Sequence, residues 1–246
     1  MTPGAGSVSI LIPVFEPLYL IDDCLNSLLS YTDADGIDMI KEIVIIDNSK
    51  SGAWPVAAKY GSLMSIRRIA MLYQRPGKNL LHVESINMAL SMSKGEWILL
   101  FNDDIEIPKT QGDWLSRQAR MFRDITKCGI ATITLLHRDH TIYWIGNDAN
   151  SQHIDLGKPY DFIPRGYYLK SPWSNIANAL VRRETFKKVP YDGIDPKTKQ
   201  LNPHYVADHF FGRKVKALGM ENAVCRDTWI YHHNERLRPE NKKKGK

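Results

Sequence analysis

The sequence predicts an α/β fold with a mostly parallel central sheet and helices on both of its faces. In the first hundred residues, short runs of Ile, Val and Leu without polar alternation take turns with segments of helical periodicity. Strands that lack alternation are buried on both faces, which is typical of a parallel sheet covered by helices. The chain has 246 residues, 43% of them hydrophobic and 24% charged, which is enough for a large core.

The elements of the first half follow from their apolar spacing. The predicted strands cover residues 7–13, 42–47, 66–73 and 97–101. One helix is indicated by Ile21, Cys24, Leu25, Leu28 and Leu29. A second helix covers residues 82–93, and Gly95 marks its C-terminal end.

The second half continues with helices and strands around a less regular segment. Residues 137–173 are rich in Gly, aromatic residues and His, and contain few long periodic stretches. The predicted helices cover 114–122, 183–189 and 208–218, and the predicted strands cover 129–136, 176–181 and 223–231. We therefore expect one domain over residues 1–234, in which the first half, at about 7–104, is similar to a nucleotide-binding fold and the second, at about 105–234, supplies a different pocket.

Composition excludes several classes of protein. The three cysteines share no metal-ligating spacing, which argues against a disulfide scaffold or a cysteine zinc site and favours a reducing compartment. No apolar run approaches the roughly 20 residues that cross a bilayer, and the first residues lack the apolar core of a signal peptide. We expect a soluble, cytoplasmic protein.

Most of the net charge of +6 lies in residues 235–246, which contain six basic and two acidic residues. A surface that binds nucleic acid should belong to the folded part, so nucleic acid is not an expected partner. We expect a disordered, solvated tail. The alternative is a weak contact with an anionic membrane surface, which would place the protein peripherally at a membrane.

Polar side chains follow the apolar strands where a parallel sheet binds its ligands, at the carboxyl ends. Residues 13–16 end the first strand, Asp47 ends the second, and Asn102-Asp103-Asp104 ends the fourth. Two adjacent carboxylates repel each other, and Mg²⁺ or Mn²⁺ relieves that repulsion through oxygen ligands. The alternative is an Asp-rich turn that caps local backbone groups.

Seven segments, in this order, resemble the family 2 glycosyltransferases, which have the GT-A fold. They are SILIPVFEP, EIVIIDNS, Asn87 followed by GEW, ILLFNDD, NIANALVRRETFKKV, ADHFFGRKVKALGM and WIYHH. The resemblance extends over about residues 7–233. The stretch from Trp144 to Tyr168 is similar to the rhamnosyltransferase-like branch, which often builds bacterial surface polysaccharides.

The resemblance implies a role for each matching residue. The residues expected to bind the sugar nucleotide are Pro13, Phe15, Glu16, Asp47, Asn87 and Asp103. Among them, Phe15 would stack on the base and Asp47 would accept a hydrogen bond. Asp104 would hold the metal that bridges the donor's diphosphate, and either His232 or His233 would reach the metal or the diphosphate.

Asp208 matches the second residue of the family's Glu-Asp pair, which is the general base in inverting members; the alternative is a helix N-terminal cap. The acceptor side departs from the pattern, since Ala207 replaces the first acid of the pair and Phe210 a later one. Trp173 precedes a small-residue strand and would either border the acceptor pocket or belong to the core.

These residues predict a metal-dependent, inverting transfer of a hexosyl or deoxyhexosyl group from a UDP, dTDP or GDP sugar to a hydroxyl of a glycan or lipid-linked acceptor. A sugar-nucleotide nucleotidyltransferase is an alternative, but it would need a Gly-rich loop after the first strand, where residues 13–17 contain no glycine. Because Ala207 removes an acid, a degenerate, binding-only protein is a third possibility. A dinucleotide oxidoreductase is excluded, because no GxGxxG follows the strand.

Overall fold

A computed structural model describes residues 2–162, 167–202 and 206–233. The basic tail at 235–246 lies outside the described residues. The strands are β1 (Val8–Val14), β2 (Ile40–Asp47), β3 (Ala70–Gln74), β4 (Trp97–Phe101), β5 (Ile105–Glu106), β6 (Cys128–Leu136), β7 (Ile142–Trp144), β8 (Tyr168–Ser171), β9 (Asn178–Arg182) and β10 (Glu221–His232). The helices are α1 (Tyr19–Tyr31), α2 (Ala34–Met39), α3 (Trp54–Lys59), α4 (Gly61–Ile66), α5 (Leu81–Met92), α6 (Trp114–Asp124), α7 (Arg183–Lys188) and α8 (Ala207–Ala217).

The first half forms the parallel part of the sheet, as its apolar strands predict. β1 lies between β2 and β4, and β3 lies outside β2. In the register, Leu11 lies between Val44 of β2 and Leu100 of β4. All three side chains are inaccessible or nearly so, in agreement with strands that are buried on both faces.

The second half continues the same sheet with mixed strand directions, in the order β3-β2-β1-β4-β9-β6-β10-β5. β9 runs antiparallel to both β4 and β6, whereas β10 runs parallel to β6. β5 and β8 add to β10 in the antiparallel direction, and β7 adds to β6. The α/β class is therefore confirmed, and the mainly parallel arrangement belongs to the first half.

Helices cover both faces of the sheet. One apolar cluster joins α1 and α6 to the strands through residues such as Leu25, Trp114 and Leu99. The other joins α5 and α8 to the opposite face through residues such as Ile86 and Phe211. Each helix buries an apolar stripe against the sheet, and the sheet holds the loops at its carboxyl edge in fixed positions.

The structure differs from the prediction mainly in short elements. Residues 66–69 do not start the third strand, since α4 ends at Ile66 and a turn containing Arg68, at φ 57°, precedes β3. The short helices α2, α3 and α4 and the strands β5, β7 and β8 were not predicted, because segments of two to six residues show at most a weak period. The helix α7 was predicted although it also has six residues. No helix of the described residues has the length and apolar character to cross a membrane.

Candidate active site

The ends of β1 and β4 are joined by a direct hydrogen bond at the carboxyl edge of the sheet. The backbone N–H of Phe15 donates to Oδ2 of Asp103 at 2.8 Å. Asp103 is buried, whereas the Phe15 side chain is 39% exposed. An exposed aromatic ring on a fixed backbone offers a flat face for stacking. Phe15 and Asp103, two of the six residues that were predicted to bind the sugar nucleotide, therefore lie together.

Asp47 is held by the chain around it. Oδ1 accepts hydrogen bonds from the backbone N–H and the hydroxyl of Ser49, at 2.9 and 2.6 Å. Oδ2 accepts from the backbone N–H of Ala53 at 2.7 Å and from the hydroxyl of Tyr73. Because these bonds stabilise the charged form, the pKa of Asp47 lies below its ordinary value despite burial, which opposes the shift. Contact of Asp47 with the nucleotide base stays a prediction, since both of its oxygens already accept hydrogen bonds that fix the turn after β2.

The same turn is held from two other sides. Oε1 of Glu16 accepts from the backbone N–H of Ser51 at 3.0 Å and from its hydroxyl at 2.7 Å, which lowers the pKa of Glu16. The guanidinium of Arg75 donates to the carbonyl of Lys50 at 2.7 Å. Pro13 lies next to Ile46 across the β1–β2 pair. Residues 48–53, here called the β2 turn, are therefore fixed before any ligand binds.

Asn87 has a structural partner at some remove in sequence. Its side-chain amide donates to the carbonyl of Tyr191 at 2.8 Å, which ties α5 to the segment that leads toward α8. Contact of Asn87 with the sugar nucleotide stays a prediction. The geometry indicates that its first role is to position that segment.

The two adjacent histidines at the end of β10 face different partners. Nε2 of His232 lies 3.2 Å from Oδ1 of Asp104, and both side chains are almost fully buried. Nε2 of His233 lies 2.9 Å from Oε2 of Glu106, and this contact helps to lower the pKa of Glu106. The sequence left open which histidine reaches the metal, and the geometry favours His232. A role for His233 at the metal stays a prediction, since its Nε2 lies beside Glu106.

The pair of Asp104 and His232 fits a divalent cation that receives its other ligands from a substrate. Among the described residues, no group of three or more His, Cys, Asp or Glu side chains could hold a metal ion alone. Mg²⁺ commonly binds through one or two carboxylates together with substrate phosphates. Nδ1 of His232 is buried and has no hydrogen-bond partner in the described parts of the chain. One carboxylate and one imidazole would therefore hold the cation against a diphosphate.

Asp208 lies in the first turn of α8, and its environment raises its pKa. The side chain is 15% exposed. Burial raises the pKa to about 7, although hydrogen bonds from the backbone N–H groups of His209 and Ile176 oppose the shift. The bond from His209 measures 2.8 Å. A carboxyl that titrates near neutrality is suited to accept a proton during a reaction.

α8 is fixed in place by close packing on the segment before β9. The imidazole of His209 stacks on the indole of Trp173 with ring centroids 3.5 Å apart. One turn further on, a Cβ at Gly212 would lie 3.0 Å from both the Ser174 nitrogen and the Trp173 Cα. The side-chain amide of Asn222 in β10 donates to the Gly212 carbonyl at 2.9 Å. Trp173 is therefore buried under α8, and this packing fixes the position of Asp208.

The charges of Asp104 and Asp208 both act on one residue, Tyr143. Burial is the main cause that raises the pKa of Tyr143 to about 12, and the charges of Asp104 and Asp208 both add to it. The ring of Tyr143 also meets the His232 ring edge-on, with centroids 4.5 Å apart. The structure thus brings the cation pair and the candidate base to one region. Tyr143 was missed from the sequence because β7 has only three residues.

Three solved structures share the fold of this chain. The chain is similar to a mannosyltransferase of Pyrobaculum calidifontis in complex with GDP-Man and Mn²⁺ (TM-score 0.62, 14% identity), covering 94% of this chain and 59% of that one. It is similar to GalNAc-T7 with UDP, GalNAc and Mn²⁺ (TM-score 0.65, 14% identity), covering 96% and 45%. It is also similar to residues 1–349 of TarS from S. aureus (TM-score 0.58, 17% identity), covering 92% and 60%. The fold is the GT-A glycosyltransferase fold.

A family model makes the assignment more specific. The model described as Glycosyl transferase family 2 matches residues 9–218, and the chain belongs to this family. The chain is also 26% identical, over 246 residues, to the uncharacterized protein y4gI of Sinorhizobium fredii (strain NBRC 101917 / NGR234). That match covers 96% of this chain and 25% of y4gI. The chain thus spans a quarter of this relative and about half of the similar solved structures.

Proposed function

We propose that the protein transfers a sugar from a nucleotide-diphosphate sugar to an acceptor hydroxyl with inversion at the anomeric carbon. The observation that carries this proposal is the placement of Asp104–His232 and Asp208 around Tyr143. A family 2 glycosyltransferase needs one site that neutralises a diphosphate and one carboxylate that accepts a proton. These two parts have the required residue types.

The proposed reaction forms one bond, breaks one bond and transfers one proton. The acceptor oxygen bonds to the anomeric carbon, the bond from that carbon to the diphosphate oxygen breaks, and the acceptor's proton passes to Asp208. A base of this kind contributes about 10²–10⁴-fold to a rate. A bound Mn²⁺ or Mg²⁺ at Asp104 and His232 supplies charge stabilisation for the departing diphosphate.

The donor end of the site is supported by the strand ends. Phe15 offers an exposed ring, and its backbone is bonded to Asp103 beside Asp104. Similar structures hold GDP-Man or UDP, and both contain Mn²⁺. We propose a UDP, dTDP or GDP sugar as the donor and a glycan or lipid-linked acceptor in polysaccharide synthesis at the cytoplasmic side of a membrane. The basic tail is proposed to make a weak contact with that membrane.

The proposal is tested by the release of nucleoside diphosphate from a panel of UDP, dTDP and GDP sugars, with Mn²⁺ present and after its removal by EDTA. We expect Asp104→Ala to reduce transfer at least about 100-fold, because the cation loses its carboxylate. The matched control is Asp124→Ala on α6, whose carboxylate forms ion pairs with Arg120 and Arg123. Transfer by Asp104→Ala at the normal rate would contradict the proposal. Tight donor binding without turnover would favour a binding-only protein.

A further inference from the structure

Tyr143 projects from the middle of β7, between two core residues. The flanking side chains of Ile142 and Trp144 are fully buried. β7 pairs antiparallel with β6, with Leu135 opposite Trp144 and Leu136 opposite Ile142. Because side chains alternate along a strand, Tyr143 is directed away from the side that Ile142 and Trp144 occupy. Its position is therefore set by the sheet.

The Tyr143 ring lies against the imidazole of the proposed cation site. It meets the His232 ring at 4.5 Å between centroids and the His137 ring at 5.3 Å, both edge-on. His232 lies in turn 3.2 Å from Asp104. These contacts hold the ring next to the Asp104–His232 pair.

The Tyr143 hydroxyl is a donor for which the described parts of the chain supply no acceptor. No hydrogen bond contributes to its environment, whereas Asp104 and Asp208 both contribute charge. A phenol with an ordinary pKa near 10 keeps its proton at neutral pH and can donate one hydrogen bond. Tyr143 is only partly buried, so water can accept this hydrogen bond, and a phosphate oxygen that enters beside His232 can take the place of that water.

We propose that Tyr143 is a substrate-binding residue whose hydroxyl donates a hydrogen bond to the diphosphate of the sugar nucleotide held at Asp104 and His232. This inference rests on the proposed function. Phosphate oxygens are strong acceptors, and a hydrogen bond to a charged group is about twice as strong as one between neutral groups. Tyr143 thereby adds a hydrogen-bond donor where the charges of two carboxylates, Asp104 and Asp208, are both felt.

A purely structural role for Tyr143 makes a different prediction. If the ring only orients His232 by its edge-on contact, removing the hydroxyl will change nothing. Tyr143→Phe keeps the ring and deletes the hydroxyl, so it separates the two roles. Tyr168→Phe on β8 is the matched control, because Tyr168 is exposed and lies outside the proposed donor site.

The experiment measures the binding of UDP, dTDP and GDP, and of the corresponding monophosphates, by calorimetry in the presence of Mn²⁺. For the diphosphate that binds the wild-type protein most tightly, we expect Tyr143→Phe to raise Kd about tenfold. We expect less than about a threefold change for its monophosphate, because the base and ribose contacts at Phe15 remain. Tyr168→Phe should leave both values unchanged.

Two failures are distinguishable because the wild-type protein is measured first. If wild type binds none of these nucleotides, the proposed function is overturned and the role of Tyr143 with it. If wild type binds a diphosphate and Tyr143→Phe binds it equally well, only the role of the hydroxyl is overturned. An equal loss of monophosphate and diphosphate binding would also overturn it, because the hydroxyl would then not act at the second phosphate. Thermal unfolding of each variant verifies that it is folded.

Discussion

Asp208→Asn should remove activity and at the same time stabilise the protein at alkaline pH. The pKa of Asp208 rises from an ordinary value of 3.8 to about 7 in the folded protein, chiefly through burial. Between these two values the folded state keeps a proton that the unfolded state releases, so the stability of the wild-type protein falls as the pH rises through this window. Asparagine has a similar shape and carries no charge, so the variant lacks this loss.

The shift of about three pKa units sets the size of the effect. At 1.36 kcal/mol per unit, it corresponds to about 4 kcal/mol above pH 8. At pH 5, which is only about one unit above the pKa of the unfolded carboxyl, the expected loss of wild-type stability is under about 2 kcal/mol. The gain in free energy of unfolding of the variant over wild type should therefore increase by roughly 3 kcal/mol between pH 5 and pH 8.5.

Urea unfolding of both proteins at these two pH values measures the effect directly. Asp195→Asn serves as the control, because local hydrogen bonds lower the pKa of this carboxyl and no gain in stability at high pH is expected. In the same preparations, transfer should fall about 10²–10⁴-fold in Asp208→Asn while nucleotide binding is kept. Wild-type transfer should decline below pH 7 as the base becomes protonated.

Two outcomes would refute this reasoning. A stability difference that does not change with pH would show that Asp208 titrates normally in the folded state. A normal transfer rate in Asp208→Asn would remove it as the base even if its pKa is raised.

Two further substitutions test how the site is built. Gly212→Ala places a Cβ 3.0 Å from the backbone of residues 173 and 174. We therefore expect the free energy of unfolding, measured in urea, to fall by about 1–3 kcal/mol. We also expect a lower kcat with an unchanged Kd for nucleoside diphosphate, and a normal kcat would show that α8 adjusts without moving Asp208. Asp47→Asn disturbs a carboxylate with four internal hydrogen bonds and should cost at least about 2 kcal/mol at pH 7. Because the pKa of Asp47 is lowered, the stability that its ionised form supplies is present above the unfolded value of 3.8 and is lost as the pH falls through the folded value. The two proteins should therefore converge in stability at strongly acidic pH, and a constant difference in urea unfolding across this range would contradict the assignment.

The parallel half of the sheet could be predicted because its strands are long and uniformly apolar. β1, β2 and β4 contain five to eight residues each, and nearly every one is buried. The family pattern likewise led to Asp104 and Asp208, whose roles as metal ligand and base stay predictions. Periodicity cannot detect β7, with three residues, so Tyr143 could not be placed beside either carboxylate.

Other parts of the site depend on contacts between residues that are distant in the sequence. Asp47 precedes Ser49 in the chain, but its bond to Tyr73 depends on the pairing of β2 with β3. The adjacent histidines look equivalent in sequence, and only the pairing of β10 with β5 separates their partners. A single glycine within a helix does not indicate a close contact in the sequence. The position of Gly212 requires a small residue because the Trp173 backbone packs against it.

The strand β10 connects the surroundings of the proposed base with those of the proposed cation site. Near its start, Asn222 holds the helix that carries Asp208, and at its end His232 reaches Asp104. Its pairing with β6 shifts register between Cys225 and Trp229, where Gln111 accepts a hydrogen bond from Thr228. The spacing between the proposed base and the proposed cation site therefore depends on the number of residues in one strand. An insertion or deletion at this irregularity would change the spacing while leaving both ends of the strand in place.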